Sequence, residues 1–308
     1  MGQRPPFSKH GFRVIASSSA TLVGCGAILL WSLLALFTAA SGAVPPFQLA
    51  AMTFALGGLV GCASWLARRG GVAAGLAALR QPWPVWALGV GGLFGYHALY
   101  FAALRLAPPA EAGLISYLWP LLIVLFSARL PGAGGLRPGH LVGALLGLAG
   151  VVALFLGRGA FRFDDAALPG YATSLAAAFV WAGYSVLSRR VGAVPTDAVA
   201  GFCLATAALS LACHCVWERT AWPEDGLQWG AVVALGLGPV GAAFYLWDIG
   251  CKRGDIRLLG VAAYAAPVLS TLILVASGYA AATPVLGIAC ALIVAGALIA
   301  LRASRGVG

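Results

Sequence analysis

Few ionisable side chains lie inside the apolar stretches of this 308-residue chain, and two of them could take part in chemistry. His97 follows Tyr96, and an imidazole can donate a hydrogen bond, accept one or carry a proton near neutral pH. Asp248 could bind an amine or a proton, but Lys252 lies four residues on, where an ion pair within one helix is the preferred interpretation. For His97, a neutral ring bonded to a neighbouring helix is the alternative.

These groups do not form a catalytic set. The histidines, which have no companion motif, are His10, His97, His140 and His214. Asp248 is the only plausible buried acid, so neither a nucleophile with its base nor a carboxylate pair is indicated. Cys213, His214 and Cys215 are consecutive, and on a helix they point about 100 degrees apart, which prevents them from sharing one tetrahedral ion. The sequence therefore predicts no enzyme, no metal and no cofactor, and it has no phosphate-binding loop.

Aromatic residues near the middle of the apolar stretches form a second group of candidates. Tyr96 and Tyr100 share a helix face, as Trp181 does with Tyr184 and Ser185. A concave site lined by aromatic rings and a few polar groups suits a small, partly apolar solute, whereas simple core packing is the alternative. The predicted substrate-binding residues are Trp31, Tyr96, His97, Tyr100, Tyr117, Trp119, Trp181, Tyr184, Ser185, Trp247, Asp248 and Tyr264.

Ten apolar stretches of about twenty residues must position these side chains. With 61% hydrophobic and 9% charged residues, the chain cannot cover a water-facing surface, because soluble domains have roughly 25% charged residues. A helix of about 20 apolar residues crosses a bilayer with its backbone bonds satisfied. We predict an all-α integral membrane protein, with the lipid bilayer as a partner. The predicted spans are 20–40, 46–67, 83–104, 110–128, 139–157, 169–188, 197–217, 228–251, 257–277 and 283–301.

The second five stretches repeat the first. At an offset of 147 residues the segment 113–120 coincides with 260–267 in its Gly, Tyr and Pro, and at an offset of 150 Trp31 coincides with Trp181. Because five is an odd number, the second copy enters the bilayer from the opposite side, so we predict two inverted repeats around a central cavity. The predicted units are a cytoplasmic N-terminal segment 1–19, a first repeat 20–157 and a second repeat 169–302.

Three prolines lie inside predicted spans, namely Pro120, Pro239 and Pro267. A proline lacks the backbone amide and its ring clashes with the preceding turn, which bends a helix unless neighbours compensate. Pro120 and Pro267 are repeat equivalents, so we predict paired kinks that shape the cavity. Incidental bends in long helices are the alternative.

Basic residues set the predicted orientation, because Lys and Arg in short loops stay on the cytoplasmic side. Fifteen of the 19 basic residues lie in segments on the side of the N-terminus, and the exceptions are Arg105, Arg158, Arg162 and Arg219. We therefore expect both termini in the cytoplasm. The net charge of +10 is explained by this topology and by anionic lipid, so no nucleic-acid partner is predicted.

These features together resemble the drug/metabolite transporter superfamily, specifically its EamA-type members. The resemblance covers residues 20–301 and is carried by LWS at 30–32, VWA at 180–182, and the two segments 113–120 and 260–267. Within this group, the segments 116–120, 247–250 and 263–267 resemble the YddG-type aromatic amino acid exporters. Asp248 departs from the pattern, which has a neutral amide there, and this departure puts a substrate contact at that position in doubt.

The resemblance implies ten helices arranged as a basket, with the first, third, fourth, sixth, eighth and ninth around a central cavity. It implies a multi-pass protein of the bacterial inner membrane that exports amino acids, preferably aromatic ones, by alternating access. An aromatic substrate would stack on Tyr96, Trp119 and Trp181, while His97 and hydroxyl or backbone groups meet its zwitterionic end.

Three other functions stay open at this point. A carrier of other metabolites, such as threonine-like or homoserine-like solutes, or of cationic drugs would share the architecture. Small cation exporters of the superfamily rely on an acid in the first span, and residues 20–40 contain none. The other two alternatives are a channel and a membrane-embedded enzyme. A monomer is compatible with this architecture, and the sequence leaves the oligomeric state open.

Overall fold

A computed structural model describes residues 17–130, 136–157, 164–278 and 281–305, and it is helical throughout these ranges apart from turns and connectors. The ten long helices are α1 Ser18–Ala40, α2 Pro46–Ala67, α3 Trp83–Leu106, α4 Pro109–Ser127, α5 Pro138–Leu156, α6 Leu168–Ser188, α7 Ala198–Trp217, α8 Gly226–Arg253, α9 Ile256–Ala276 and α10 Pro284–Arg305. A short helix, Gly71–Leu79, lies in the connector between α2 and α3. The predicted all-α fold is confirmed.

Within the described ranges, nine of these helices are long and apolar enough to cross a membrane. The helix α6 has 21 residues but is not among the nine, since Tyr171, Ser174, Tyr184 and other polar residues lower its mean hydropathy. The chain is thus a multi-pass membrane protein, and the count of ten spans stays a prediction. Most of the predicted N-terminal segment, with His10, lies outside the described residues, as do Arg158 and Arg162.

Helix starts follow from local chemistry. A proline in the first turn tolerates the missing amide, because the first amides of a helix have no partner within it. Helices that begin this way are α2, α3, α4, α5, α6 and α10. The helices α8 and α9 begin instead at a capping acid. The Asp225 carboxylate accepts from the amide of Gln228 at 2.8 Å, and that of Asp255 accepts from the amide of Arg257 at 3.0 Å.

Glycines allow two helices, α5 and α10, to cross with their backbones in contact. A Cβ on Gly296 would lie only 2.5 Å from the carbonyl oxygen of Gly143, so no larger residue fits at the crossing. Near one end of the pair Gly139 faces Ala303, and near the other end Gly157 faces Val285. The two helices, which hold the same place in the two repeats, therefore run antiparallel.

The equivalent helices α2 and α7 are antiparallel as well. The Glu218 carboxylate, just after α7, accepts from the amides of Phe47 and Gln48 at the start of α2, each at 3.1 Å. At the other end of the pair, Arg68 after α2 forms an ion pair of 2.6 Å with Asp197, which precedes α7. We call the face of the bundle with Arg68, Arg189 and Lys252 the basic face, and the one with Arg105 and Glu218 the opposite face.

Matching irregularities interrupt four of the long helices. The helix α4 breaks after Ser116 and α9 breaks after Ala262, just before the repeat-equivalent prolines Pro120 and Pro267. The helices α3 and α8 contain π-helical turns at Gly91–Gly95 and Gly238–Ala242, which are 147 residues apart, and the second one contains Pro239. The three predicted prolines thus lie at or beside helix irregularities that recur in both repeats.

The α4 break leaves a backbone amide that is bonded from the other repeat. In a continuous helix the amide of Leu121 would donate to the carbonyl of Tyr117, four residues earlier. Here it donates to the Tyr264 hydroxyl at 3.1 Å, across 143 residues of chain. The tyrosine of one repeat therefore stabilises the kink of the other.

Candidate functional site

A cavity of about 160 Å³ lies where the six central helices meet. It is lined by Trp31, Leu34, Tyr96, His97, Tyr100, Gly113, Ser116, Tyr117, Trp119, Trp181, Pro239, Val240, Phe244 and Ala266. These residues belong to α1, α3, α4, α6, α8 and α9, which are the helices that the resemblance implied. Seven of the predicted substrate-binding residues line this cavity, six of them aromatic rings and the seventh His97.

Tryptophan rings from both repeats meet at the floor of the cavity. The ring centroid of Trp31 lies 5.7 Å from that of Trp181, 6.3 Å from that of Trp119 and 5.0 Å from that of Trp247. The Trp31 indole N–H donates to the carbonyl of Pro239 at 3.0 Å, within the π-helical turn of α8. This bond fixes the Trp31 ring against the other repeat.

Tyrosines of α3 form one wall. The rings of Tyr96 and Tyr100 are parallel within 4° with centroids 6.0 Å apart, as their spacing of four residues predicts. Tyr96 also lies 5.3 Å from Trp181, and its hydroxyl is 3.4 Å from that of Ser116. The wall thus presents flat apolar faces together with two hydroxyl groups.

His97 is held in one orientation by its own helix. Its Nδ1 lies 2.7 Å from the carbonyl oxygen of Leu93, in the π-helical turn of α3. A carbonyl oxygen can only accept, so Nδ1 carries the proton and Nε2 of the neutral ring is an acceptor. Phe54 and Phe244 pack against the ring with centroids at 5.0 and 6.2 Å. His97 therefore offers the cavity a positioned acceptor in apolar surroundings.

Five predicted residues do not line this cavity, namely Tyr184, Ser185, Trp247, Asp248 and Tyr264. They lie on the same helices but nearer to the basic face, packed in the protein interior with exposed fractions of 5% or less. Trp247 donates its indole N–H to the hydroxyl of Ser185 at 3.0 Å. A direct substrate contact for these five stays a prediction.

Asp248 has the partner that was preferred at the sequence level. Its carboxylate forms an ion pair of 2.8 Å with Lys252 and accepts from the Thr196 hydroxyl at 2.7 Å. The Lys252 ammonium donates also to the carbonyl of Val194 at 2.9 Å. The carboxylate is thus engaged within the protein.

The two repeats contribute unequally to the cavity. Tyr117 lines it, whereas its equivalent Tyr264 has no exposed surface; Tyr100 lines it, whereas its equivalent Trp247 has none. All of these residues lie on helices that run from one face of the bundle to the other. Among the described residues, the half of the bundle toward the opposite face therefore holds the open site, and the half toward the basic face is closed apart from a small pocket of about 10 Å³ beside Asp248 and Lys252.

The remaining lining residues were absent from the predicted site. They are Leu34, Gly113, Ser116, Pro239, Val240, Phe244 and Ala266. Phe244 and Ser116 carried a usable signal, since Phe244 shares a helix face with Trp247 and Ser116 belongs to the repeated segment. Leu34, Val240 and Ala266 are ordinary apolar residues, and only the packing of the helices places them at the cavity.

Comparison with known proteins assigns the chain to a family. The profile of the EamA-like transporter family matches residues 18–156 and again residues 168–302. The chain belongs to the EamA-like transporter family. This assignment confirms the resemblance found in the motifs, and it places the protein among transporters rather than enzymes, as predicted.

Individual relatives are consistent with this family assignment. The aromatic amino acid exporter YddG of Ancylobacter novellus is 63% identical over 292 residues, which cover 94% of this chain and 100% of that protein. The aromatic amino acid exporter YddG of Escherichia coli K12 is 27% identical and covers 82% of this chain and 86% of its own length. A crystal structure with 63% sequence identity superimposes with a TM-score of 0.90, covering 94% of this chain and 99% of that one. This EamA-like protein is therefore similar to YddG over nearly all of the described helices.

Proposed function

We propose that this protein exports amino acids, preferably aromatic ones, across the inner membrane of a bacterial cell by alternating access. The observation that supports this best is the central cavity, which is lined by seven aromatic rings from both repeats and one fixed histidine. The relative that is 63% identical bears the name of an aromatic amino acid exporter, which supports the same substrate class here.

Each part of an aromatic amino acid has a matching group in the cavity. Its side chain would stack on Tyr96, Trp119 and Trp181, and each such pair contributes about 0.5 to 1.5 kcal/mol beyond burial. Its ammonium group would donate to Nε2 of His97, and the hydroxyls of Tyr96 and Ser116 would donate to its carboxylate. A site built on weak stacking suits a carrier of broad specificity and low affinity.

The geometry also supports inverted repeats. Helices that are equivalent in the two repeats, α2 with α7 and α5 with α10, run antiparallel to each other, as an inverted duplication requires. The open half and the closed half are built from equivalent segments, so rocking one repeat against the other would exchange their roles. In that second state Tyr264 and Trp247 would line a cavity toward the basic face.

The basic face would be cytoplasmic, with both termini on that side, by the rule that Lys and Arg of short loops stay inside. The open cavity then faces outward, so the structure would correspond to the outward-facing state of an exporter after release of its substrate. A single chain contains both repeats and the whole cavity, and a monomer is sufficient for this mechanism.

Transport by purified protein in liposomes tests the proposal. We expect saturable uptake of labelled tryptophan and phenylalanine, with little uptake of threonine, and counter-transport when unlabelled tryptophan is enclosed. Uptake that does not saturate would indicate a channel. Preference for threonine, or no flux of any amino acid, would contradict the aromatic assignment and favour other small metabolites or cationic compounds. An imposed pH gradient shows whether transport is coupled to protons.

A further inference from the structure

Two basic residues hold the same place in the two repeats, near the ends of α3 and α8. Arg105 and Lys252 are 147 residues apart, the offset that also relates the π-helical turns and the tyrosines at the helix breaks. Arg105 lies at the opposite face and Lys252 at the basic face. Arg105 is half-exposed at the open side of the bundle, whereas Lys252 is buried at the closed side.

Lys252 is enclosed at the closed side. Its side chain is 4% exposed, and its ammonium contacts both carboxylate oxygens of Asp248 at 2.8 and 2.9 Å and the carbonyl of Val194 at 2.9 Å. Thr196 donates to the same carboxylate. Val194 and Thr196 lie in the turn between α6 and α7, so these bonds tie the end of α8 to another part of the second repeat.

Arg105 is held much more loosely at the open side. Its side chain is 50% exposed, and its one ion pair among the described residues is a 3.3 Å contact with Glu218. Glu218 itself is fixed, because it accepts from the amides of Phe47 and Gln48 and lies 3.0 Å from Nδ1 of His214. A buried, fully bonded acid thus faces a half-exposed cation.

We propose that Lys252 and Arg105 are alternating latches of the two gates. The bonds of Lys252 and Asp248 to the turn between α6 and α7 hold the basic-face gate closed while the cavity is open on the other side. Opening this gate needs a movement within the second repeat in addition to the rocking: the end of α8 moves away from the turn between α6 and α7, and Lys252 becomes solvated. The end of α3 then moves toward α2, and the existing ion pair of Arg105 with Glu218 becomes shorter and buried.

Burial makes the Lys252 latch selective for one state. A lysine and an aspartate out of water are tolerated only while their bonds are intact, so opening must solvate both groups together. The latch therefore distinguishes an open gate from a closed one more sharply than an exposed pair would, since exposed pairs contribute little. This inference rests on the alternating access of the proposed function, but not on the identity of the substrate.

Two engineered cysteines report the gates, in a chain whose seven native cysteines are replaced. Ala263 has no exposed surface and is the equivalent of the cavity-lining Ser116, so the A263C thiol would react only when the basic-face gate opens. Leu34 lines the open cavity and is 38% exposed, so the L34C thiol reports the other gate. A membrane-impermeant maleimide is applied to inside-out vesicles for A263C and to right-side-out vesicles for L34C.

Three variants distinguish the loss of the Lys252 latch from a nonspecific destabilisation of the basic face. T196V removes one bond to the Asp248 carboxylate and keeps the ion pair. D248N with K252M removes both charges together, which avoids a lone buried charge. The matched control, R68M with D197N, removes an ion pair of the same face that joins the end of α2 to the start of α7 and leaves all bonds of the Asp248 carboxylate in place.

Labelling of A263C should rise several-fold in T196V and about tenfold in D248N with K252M, while labelling of L34C falls. The control should leave both rates unchanged. R105Q should have the opposite effect, because it weakens the latch of the other gate: the labelling rate of A263C should fall and that of L34C should rise. The proposal would be overturned if the labelling rate of A263C were unchanged in T196V and in D248N with K252M. If the double variant does not insert into the membrane, the result with T196V alone decides. Labelling needs no substrate, so the two proposals can fail separately. Unchanged labelling rates together with normal tryptophan flux would contradict the latches and leave the transport assignment intact.

Discussion

At the scale of single residues, the cavity depends on side chains whose polar atoms are fixed by irregular backbone. The π-helical turn of α3 presents the carbonyl of Leu93 to His97, and that of α8 presents the carbonyl of Pro239 to Trp31. Such turns leave carbonyls available for side-chain donors, and they are frequent at functional sites. Each repeat thus supplies a carbonyl that orients a ring of the first repeat before a substrate binds.

Replacing Trp181 by Ala should weaken substrate binding without preventing insertion. Its ring lies 5.3 Å from Tyr96 and 6.3 Å from Trp119, so one substitution removes a stacking surface shared by both walls. Loss of one stacking partner and its buried area predicts roughly tenfold weaker apparent affinity for tryptophan in liposome uptake. W83A is the matched control, because Trp83 is 77% exposed at a helix start. Equal effects of both changes would contradict the site.

Replacing His97 by Phe separates the acceptor from the packing. Phenylalanine keeps a ring against Phe54 and Phe244 but has no Nε2 for the substrate ammonium. A hydrogen bond to a charged group contributes about 1.5 to 3 kcal/mol, so the Michaelis constant should rise tenfold or more. Thermal stability in detergent should stay near that of the unchanged protein. Normal uptake by H97F would exclude His97 from substrate recognition.

Sequence reasoning reached part of this site for a definite reason. Trp31 and Trp181 stand out because deep aromatic residues recur at the repeat offset, and His97 because charge-bearing groups are rare in spans. Val240 and Ala266 carry no such mark, since their place at the cavity follows from how α8 and α9 pack. The sequence gives the polarity of each residue directly, but the neighbours of a residue across the cavity depend on how the helices pack.

At the scale of helices, the glycines that bring α5 and α10 together set the stability of the bundle. Replacing Gly296 by Val should destabilise the protein, because the first side-chain carbon already meets the carbonyl of Gly143 at 2.5 Å. Overpacking of this kind costs about 1 to 3 kcal/mol. We expect a lower midpoint of thermal unfolding in detergent.

Gly287 of the same helix provides the control for this prediction. A Cβ added there meets nothing within 4 Å, so G287V changes the helix propensity equally without the contact. A midpoint for G296V as high as that for G287V would show that the helices can separate at no cost.

Helix positions were predictable because hydropathy reports how long a span is, and the observed bounds lie within a few residues of the predicted ones except at the end of α10. The three prolines marked the irregular places correctly, but the π-helical turn at Gly91–Gly95 contains none. That turn leaves no trace in hydropathy. The short helix Gly71–Leu79 is apolar but has only nine residues, so it is too short to be predicted as a span.

At the scale of the whole molecule, the two copies of one duplicated unit build a cavity that is open toward the opposite face, and the two gates that we propose lie at opposite ends of the bundle. The equivalents Tyr117 and Tyr264 occupy opposite situations, one at the cavity and one bonded to the backbone of α4. A symmetric sequence in an asymmetric arrangement is what a carrier with two states needs, because the second state reuses the same segments in exchanged roles.

Which of the two states the structure represents depends on whether the basic face is cytoplasmic, and reporter fusions can test this orientation. Alkaline phosphatase is active only outside the inner membrane, whereas green fluorescent protein folds in the cytoplasm. A fusion after Arg305 should fluoresce and lack phosphatase activity, because the residues of the basic face belong to the side that retains Lys and Arg. A phosphatase inserted after Arg219, between α7 and α8, should be active. The reverse pattern would turn the open cavity toward the cytoplasm, and the structure would then show an exporter ready to load substrate.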